Sequence, residues 1–192
     1  MSVQKAKSVQ VNRRSFTVAE YMRMGQTGII SEDERVELVC GEVIEMSPIG
    51  ERHAACVDFL TQLITLRLRR GAIVRVQNPI QLDDYSEPQP DIAVLKRRDD
   101  FYRHAHPRPE DVLVVIEVSD STLEYDRKVK VPLYARAGIP ETWVVNLRGE
   151  RIKTYADPAK GAYQTITSYA RGDELQSRSL AALRVSVAEV LG

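Results

Sequence analysis

The chain has 192 residues, of which 27 are Lys or Arg and 27 are Asp or Glu, so its formal net charge at pH 7 is zero. This length suits one domain with a substantial core. A hydrophobic fraction of 43% excludes a disordered or collagen-like polymer. A neutral chain has no overall field to attract nucleic acid or an anionic membrane, so any electrostatic role has to be local.

Cysteine content and hydropathy bear on the cellular compartment. Cys40 and Cys56 lack CxxC spacing, which argues against a disulfide framework or a cysteine zinc site. The apolar run from Val112 to Ile116 is far shorter than the ~18 residues of a membrane span. The polar N-terminus also lacks the apolar segment of a signal peptide. We therefore expect a cytoplasmic protein with no membrane partner.

The first elements along the chain are an arm and a short helix. Residues 1–14 are basic and lack apolar periodicity, which predicts a flexible basic arm ahead of a single domain over residues 15–192. Thr17 and Glu20 form a capping-box pattern, so a helix is predicted to begin there and to end near Gly25.

The rest of the chain alternates between strand and helix patterns. Period-two alternation around Gly41 predicts a hairpin over residues 36–46, and apolar residues three or four apart predict a helix of about five turns over residues 54–68. Short β-branched segments predict strands at residues 73–77, 80–82, 92–95 and 143–145. A helix over residues 125–137 and a C-terminal hairpin over residues 152–169 complete a mixed α/β class.

Two acidic residues occur where strands begin or end. Asp91 immediately precedes the strand at residues 92–95, and Glu117 interrupts the apolar segment Val112–Val118, which predicts a central strand covered on both faces. A charged carboxylate in such a strand is costly without a partner. Glu117 either faces water or an arginine at the strand end, or shares a hard divalent cation such as Mg²⁺ with Asp91.

These residues belong to a longer ordered series of motifs. Pro90-Asp91 followed by Glu117-Val118-Ser119 resembles the PD-(D/E)XK nuclease superfamily. The wider series resembles the Uma-two family of restriction endonucleases over roughly residues 16–190. The segments that carry this resemblance are Arg35–Glu42, Met46–Pro48 ahead of His53, Gln89–Asp91, Glu117–Ser119 with Ser121-Thr122, Tyr125–Arg127, and Tyr134–Trp143.

The resemblance implies a restriction-endonuclease-like fold. Its αβββαβ core has a central mixed sheet flanked by helices, here preceded by a helix and a hairpin and followed by a C-terminal β-hairpin. It also implies Mg²⁺-dependent hydrolysis of DNA phosphodiesters, with Mn²⁺ as a substitute. Asp91 and Glu117 would hold the metal together with the Val118 carbonyl, and Glu37 would join the acidic cluster. Hairpin alternation alone predicts instead that Glu37 faces solvent.

The chain departs from the superfamily at the third position of ExK, where Ser119 replaces lysine. On a helical wheel, Lys130 falls within the apolar stripe of residues 129–137, whereas Lys128 points the other way. Lys130 is therefore predicted to replace the missing lysine and to stabilise transition-state charge. The alternative is that Lys130 extends its ammonium to solvent. Pro132 complicates the wheel because an internal proline kinks a helix.

Two further sequence features suggest contacts with a substrate. His53 is predicted to touch a substrate phosphate or a metal-bound water, although a histidine near a helix start is more often a surface residue. The segment 96–108 clusters cations with aromatic residues, which predicts either DNA-backbone contacts by Arg97, Arg98 and Arg103 or, equally, a solvated loop.

Three functional alternatives stay open at this point. The chain is a DNA endonuclease, a catalytically inactive nucleic-acid-binding module with the same fold, or a nuclease acting on RNA or structured DNA. Cleavage of both DNA strands would favour a homodimer.

Overall fold

The structure is a computed structural model that describes residues 13–192. Residues 1–12, which form most of the predicted basic arm, lie outside the described part. The helices are α1 Val18–Gln26, α2 Glu51–Leu68, α3 Leu123–Tyr125, α4 Val131–Ala137 and α5 Val187–Leu191. The strands are β1 Val36–Val39, β2 Glu42–Glu45, β3 Ala72–Val76, β4 Ile92–Lys96, β5 Val112–Ser119, β6 Glu141–Asn146, β7 Arg151–Ala159, β8 Ala162–Ala170, β9 Glu174–Gln176 and β10 Arg184–Ser186.

A six-stranded mixed sheet forms the centre of the fold, in the order β3-β4-β5-β6-β7-β8. Within this sheet the β5–β6 pair is parallel, and the other four pairs of neighbouring strands are antiparallel. The succession α2, β3, β4, β5, α3–α4, β6 gives the αβββαβ order. With α1 and the β1–β2 hairpin before it and β7–β8 after it, the predicted fold class is confirmed.

Both faces of the sheet are covered by apolar side chains. On one face, Leu60 and Ile64 of α2 pack with Val114 and Ile116 of β5. On the other face, residues of α4 pack with Val115. Because successive strand residues alternate between faces, Glu117 lies on the same face as Val115, beneath α4.

The helix over α3 and α4 contains an irregular turn. A π-helical turn, Asp126–Lys130, joins α3 to α4, and Pro132 is near the start of α4. Proline has no N–H to donate to the preceding turn, so its place just after the wide turn is compatible with a continuous helix. The helix ends at Gly138, whose φ of 79° is in the left-handed region that favours glycine.

Two sequence predictions were incorrect or incomplete. The strand predicted at residues 80–82 is absent, because this segment folds back on itself: the Leu82 N–H donates to the Ser86 carbonyl and the Ile80 N–H to the Pro88 carbonyl. Its apolar side chains are buried beneath a loop rather than within a ladder. The small antiparallel pair β9–β10 was not predicted. In residues 13–192, no helix combines the length and the apolar character that a membrane crossing requires.

Candidate active site

A pocket of about 430 Å³ opens where β4 begins and β5 ends. Its walls come from the β1–β2 hairpin, the start of α2, and the segment from the end of β5 into the π-helical turn. The predicted residues Glu37, His53, Asp91, Glu117 and Lys130 all line it. The fold therefore brings together residues that are up to 93 positions apart in the sequence, from Glu37 to Lys130.

Asp91 is buried and held by three donors. Its Oδ2 accepts the Val118 N–H at 2.8 Å and lies 3.0 Å from His53 Nε2. Its Oδ1 accepts Gln77 Nε2 at 3.3 Å. Burial opposes ionisation, but the hydrogen bond and charge of His53, with the Val118 N–H, keep the pKa of Asp91 below its ordinary value. Asp91 is therefore a carboxylate at neutral pH.

Glu117 is more deeply buried, with 2% of the residue exposed. Its Oε1 accepts the Tyr134 hydroxyl at 2.6 Å and lies 3.2 Å from Lys130 Nζ. Its Oε2 has a long contact of 3.4 Å with the Asp91 N–H. Burial raises the pKa of Glu117 to about 8, although the charge of Lys130 acts in the opposite direction. In the absence of a bound metal ion, burial therefore favours the protonated form of Glu117, and the Lys130 ammonium favours the ionised form.

Lys130 projects from the π-helical turn into the acidic cluster. Its Nζ lies 3.2 Å from Glu37 Oε2 and 3.2 Å from Glu117 Oε1, and the residue is only 4% exposed. Burial lowers its pKa, but the surrounding carboxylates, Glu117 first, outweigh burial and raise the pKa above its ordinary value. The side chain of Lys128 is 74% exposed and pairs with Glu124. Lys130 therefore faces inward, and the alternative in which its ammonium reaches solvent is wrong.

Glu37 is buried, which corrects the solvent-facing position expected from hairpin alternation. Its Oε2 accepts the Gln89 N–H at 2.9 Å, and its Oε1 accepts the Tyr125 hydroxyl at 3.2 Å. These partners come from the loop after β3 and from α3, and they cover the face of the hairpin that alternation assigns to solvent. Both oxygens of Glu37 are thus engaged by protein groups.

His53 lies in the first turn of α2. The hydrogen bond to Asp91 raises its pKa, while burial acts in the opposite direction. Its Nδ1 is buried and has no hydrogen-bond partner among residues 13–192. The histidine is thus partly buried in the pocket wall rather than exposed on the surface.

Asp126 is a site residue that the sequence interpretation missed. It is 4% exposed, and its Oδ2 accepts the hydroxyls of Ser119 at 2.7 Å and Thr122 at 2.6 Å. Burial raises the pKa of Asp126. Asp126 and Lys130 are four residues apart, so they lie on one face of the helix. The helical wheel that predicts an inward position for Lys130 therefore predicts the same for Asp126.

The donor chemistry of the pocket fits a hard divalent cation. Asp91 and Glu117 present carboxylate oxygens to the same space, and Glu117 Oε2 has only one long protein contact. Mg²⁺ is commonly held by one or two carboxylates and retains several waters. Within residues 13–192, no three His, Cys, Asp or Glu side chains are arranged to hold a metal on their own. A cation bound here would be held by Asp91 and Glu117, with water completing its coordination.

The structure does not bring the predicted DNA-contact loop to this pocket. Asp91 precedes β4 and Arg97 follows it, so the two residues lie about 20 Å apart along the strand at ~3.3 Å per residue. Arg98 is paired with Asp100 at 2.7 Å and lies over the Tyr102 ring. Arg97 lies 3.7 Å from Asp99, and Arg103 is exposed. DNA contact by Arg97, Arg98 and Arg103 stays a prediction.

Comparison with known proteins gives a structural neighbour and a family. A putative nuclease belonging to DUF820 from Anabaena variabilis ATCC 29413 is similar in structure, with a TM-score of 0.71 and 14% sequence identity, over 92% of this chain and 97% of that one. At this identity the similarity shows the fold. No curated protein matches the chain. The model of the family Uma2, described as "Putative restriction endonuclease", matches residues 18–188, and the chain therefore belongs to that family.

Proposed function

We propose that this chain is a Mg²⁺-dependent endonuclease that hydrolyses phosphodiester bonds in DNA, with Mn²⁺ as an alternative cofactor. Membership of the Uma2 family supports nuclease activity in general. The observation that carries the finer proposal is the position of Lys130 Nζ 3.2 Å from Glu117, in the pocket that Glu117 shares with Asp91. Two carboxylates can hold a divalent cation that activates water, and a preorganised ammonium can stabilise charge on the phosphate.

The residues divide into two groups by what their contacts permit. Asp91 and Glu117 would hold the cation, with the Val118 carbonyl as the proposed third protein ligand. When bound, the cation would lower the pKa of a water and neutralise charge on the phosphate. Glu37 Oε2 lies 3.2 Å from Lys130 Nζ, so its proposed role in the acidic cluster is to hold Lys130 in place.

Lys130 is proposed to act by its charge. A raised pKa keeps its amine protonated at neutral pH, so it is not suited to be the general base. A buried ammonium that is already oriented by two carboxylates can stabilise negative charge that develops on the phosphate without reorganising. His53, whose Nε2 lies 3.0 Å from Asp91, is proposed to contact a substrate phosphate or a metal-bound water.

The partner and location proposals depend on the same activity. DNA is the proposed substrate, and a chain with one such pocket would cut both strands of a duplex as a homodimer. Sedimentation analysis of the protein with and without a DNA duplex tests that stoichiometry. A cytoplasmic location stays a prediction from the sequence.

A cleavage assay tests the proposal. Supercoiled, linear and single-stranded DNA and an RNA of equal length are incubated with the protein and Mg²⁺, Mn²⁺ or EDTA, beside Asp91→Asn. The expected result is DNA cleavage that EDTA and Asp91→Asn abolish. Cleavage of RNA alone would identify a ribonuclease, and binding without cleavage under all conditions would identify an inactive binding module. Either result would overturn the proposal.

A further inference from the structure

Three arginines surround the mouth of the pocket, each from a different part of the chain. Arg35 precedes β1, Arg52 lies in the first turn of α2, and Arg148 lies in the turn between β6 and β7. Arg35 and Arg148 line the pocket, and Arg52 Nη2 donates to the carbonyl of Leu147, the neighbour of Arg148, at 3.3 Å. All three residues are exposed.

The interior of the pocket is acidic, so positive charge at its mouth favours the entry of an anion. Four buried acids, Glu37, Asp91, Glu117 and Asp126, share one buried ammonium. That ammonium is already engaged by two of the acids. A phosphate chain that approaches this cluster is repelled unless positive charge is supplied at the entrance.

The charges at the mouth are largely free to bind a ligand. Arg35 and Arg52 form no ion pair with any of residues 13–192, and Arg148 pairs with Asp120 at 3.0 Å while its side chain is 67% exposed. An exposed pair of this kind is weak and can be exchanged for a phosphate. The three arginines therefore offer positive charge that the protein itself does not neutralise strongly.

Backbone contacts also orient two of the three side chains. Arg35 Nη1 donates to the Ser47 carbonyl at 3.2 Å, and Arg52 donates to Leu147. A guanidinium has five N–H donors, so each side chain is directed by one bond and retains donors for a phosphate. Arg98, in the loop after β4, differs from these arginines because two of its N–H groups donate to Asp100.

His53 is a further polar residue of the pocket wall. His53 lines the pocket beside the start of α2, and its buried Nδ1 lacks a hydrogen-bond partner among residues 13–192. Buried polar atoms in proteins nearly always have a partner. Nδ1 is therefore an unsatisfied polar atom within the pocket wall.

We propose that Arg35, Arg52 and Arg148 bind the phosphates that flank the scissile bond, so that the nucleic acid lies across this end of the molecule. This inference rests on the proposed function, because it assigns the backbone-binding residues of the same site. It also places the main electrostatic contact at the opposite end of β4 from Arg97, Arg98 and Arg103.

Salt-dependent binding of labelled oligonucleotides tests this proposal. A fluorescein-labelled DNA duplex and its single strand are titrated with protein in EDTA, so that binding is measured without cleavage. The test variant is Arg35→Gln/Arg52→Gln/Arg148→Gln, and the matched control is Arg23→Gln/Arg67→Gln/Arg178→Gln, three exposed arginines that do not line the pocket. The expected slope of log K against log salt falls by about 0.9 per lost duplex contact, or about 0.7 on the single strand, in the test variant alone.

Other outcomes separate this proposal from the proposed function. Equal slopes in the test and control variants would contradict the proposed role of Arg35, Arg52 and Arg148. A larger decrease in slope in Arg97→Gln/Arg98→Gln/Arg103→Gln would contradict it as well. In both cases, cleavage by the wild-type protein would still support the proposed nuclease function. A wild-type protein that neither binds nor cleaves nucleic acid would refute both. If thermal unfolding shows that the triple variant is not folded, the single variant Arg35→Gln is expected to lose one contact, and an unchanged slope would count against the proposal.

Discussion

Lys130 Nζ and Glu117 Oε1 lie 3.2 Å apart, in a contact between the π-helical turn and the end of β5. The ExK pattern would place a lysine two residues after Glu117, at the position of Ser119. The Ser119 hydroxyl instead donates to Asp126, at the start of the turn that carries Lys130. The Lys130 ammonium therefore reaches Glu117 from the helix rather than from β5. Ser119, at the strand position that lacks lysine, helps to hold that helix in place through Asp126.

The first prediction concerns the charge of Lys130. Lys130→Gln is expected to lower the cleavage rate by on the order of 10² to 10³, because it removes one preorganised electrostatic donor. Lys128→Gln is the matched control, since Lys128 has the same charge but is exposed and pairs with Glu124. Its turnover should stay near wild type in the same single-turnover assay.

The stability of Lys130→Gln has to be measured alongside its rate. Removing one partner of a buried ion pair leaves uncompensated charge and costs about 3–5 kcal/mol, so urea unfolding should show a large loss for this variant and little change for Lys128→Gln. A folded Lys130→Gln protein with full activity would show that the buried ammonium is only structural.

The second prediction distinguishes the two proposed metal ligands by stability. Asp91→Asn and Glu117→Gln should each weaken Mg²⁺ binding in calorimetry, because each removes an anionic oxygen ligand. Without metal their effects on unfolding should differ. The lowered pKa of Asp91 means that its ionised form stabilises the fold, so Asp91→Asn should lose about 2 kcal/mol at pH 7.

The substitution Glu117→Gln is expected to have the opposite effect on stability. The environment of Glu117, with Lys130 included, raises its pKa to about 8, so the ionised form is disfavoured at pH 7 and a glutamine removes that cost. Glu117→Gln should therefore keep or raise the unfolding midpoint at pH 7. Unchanged Mg²⁺ affinity in both variants would rule out the metal assignment whatever the stability result.

The third prediction treats Tyr134 as a positioning residue. Its hydroxyl donates to Glu117 Oε1 at 2.6 Å, a bond that lowers the pKa of Glu117. Tyr134→Phe should therefore move the acidic limb of the rate–pH profile upward by about one unit. Tyr163→Phe removes another buried hydroxyl, which contacts Thr142 and Ile139. A shift of the profile in both variants would point to general destabilisation instead.

Local patterns were sufficient for much of this fold. The apolar run of β5 predicts a strand covered on both faces, and helical spacing predicts which of Lys128 and Lys130 faces the sheet. Both inferences depend on residues within one element. The same helical spacing places Asp126 on the face that carries Lys130. Asp126 could therefore also have been identified from the sequence as a site residue.

Contacts between distant segments account for the rest. Glu37 is buried because Gln89 and Tyr125 cover it from segments far along the chain, and alternation within a hairpin carries no information about them. The order of elements did contain one unused signal. Asp91 begins a strand that Lys96 ends, so the cations that follow Lys96 had to lie at the opposite end of the sheet from the carboxylates.

The last prediction concerns Glu87, which lies outside the pocket. Glu87 is 3% exposed, and its Oε2 has no hydrogen-bond partner among residues 13–192. Burial raises its pKa to about 7, with Arg108 acting weakly in the other direction. Because the pKa is higher in the folded than in the unfolded chain, the folded state binds the proton more tightly. The associated stability is present below pH 4.5 and is lost as pH rises toward 7.

Glu87→Gln should remove this pH dependence. A glutamine stays neutral, so the variant should match wild type near pH 4.5 and exceed its unfolding free energy by about 1–3 kcal/mol above pH 8, the usual cost of an unsatisfied buried polar group. Thermal or urea unfolding from pH 4.5 to 9 measures the difference. Glu32→Gln, at an exposed position, is the control, and its difference from wild type should be small at every pH. A Glu87→Gln variant less stable than wild type above pH 8 would mean that the ionised carboxylate has a partner and stabilises the fold.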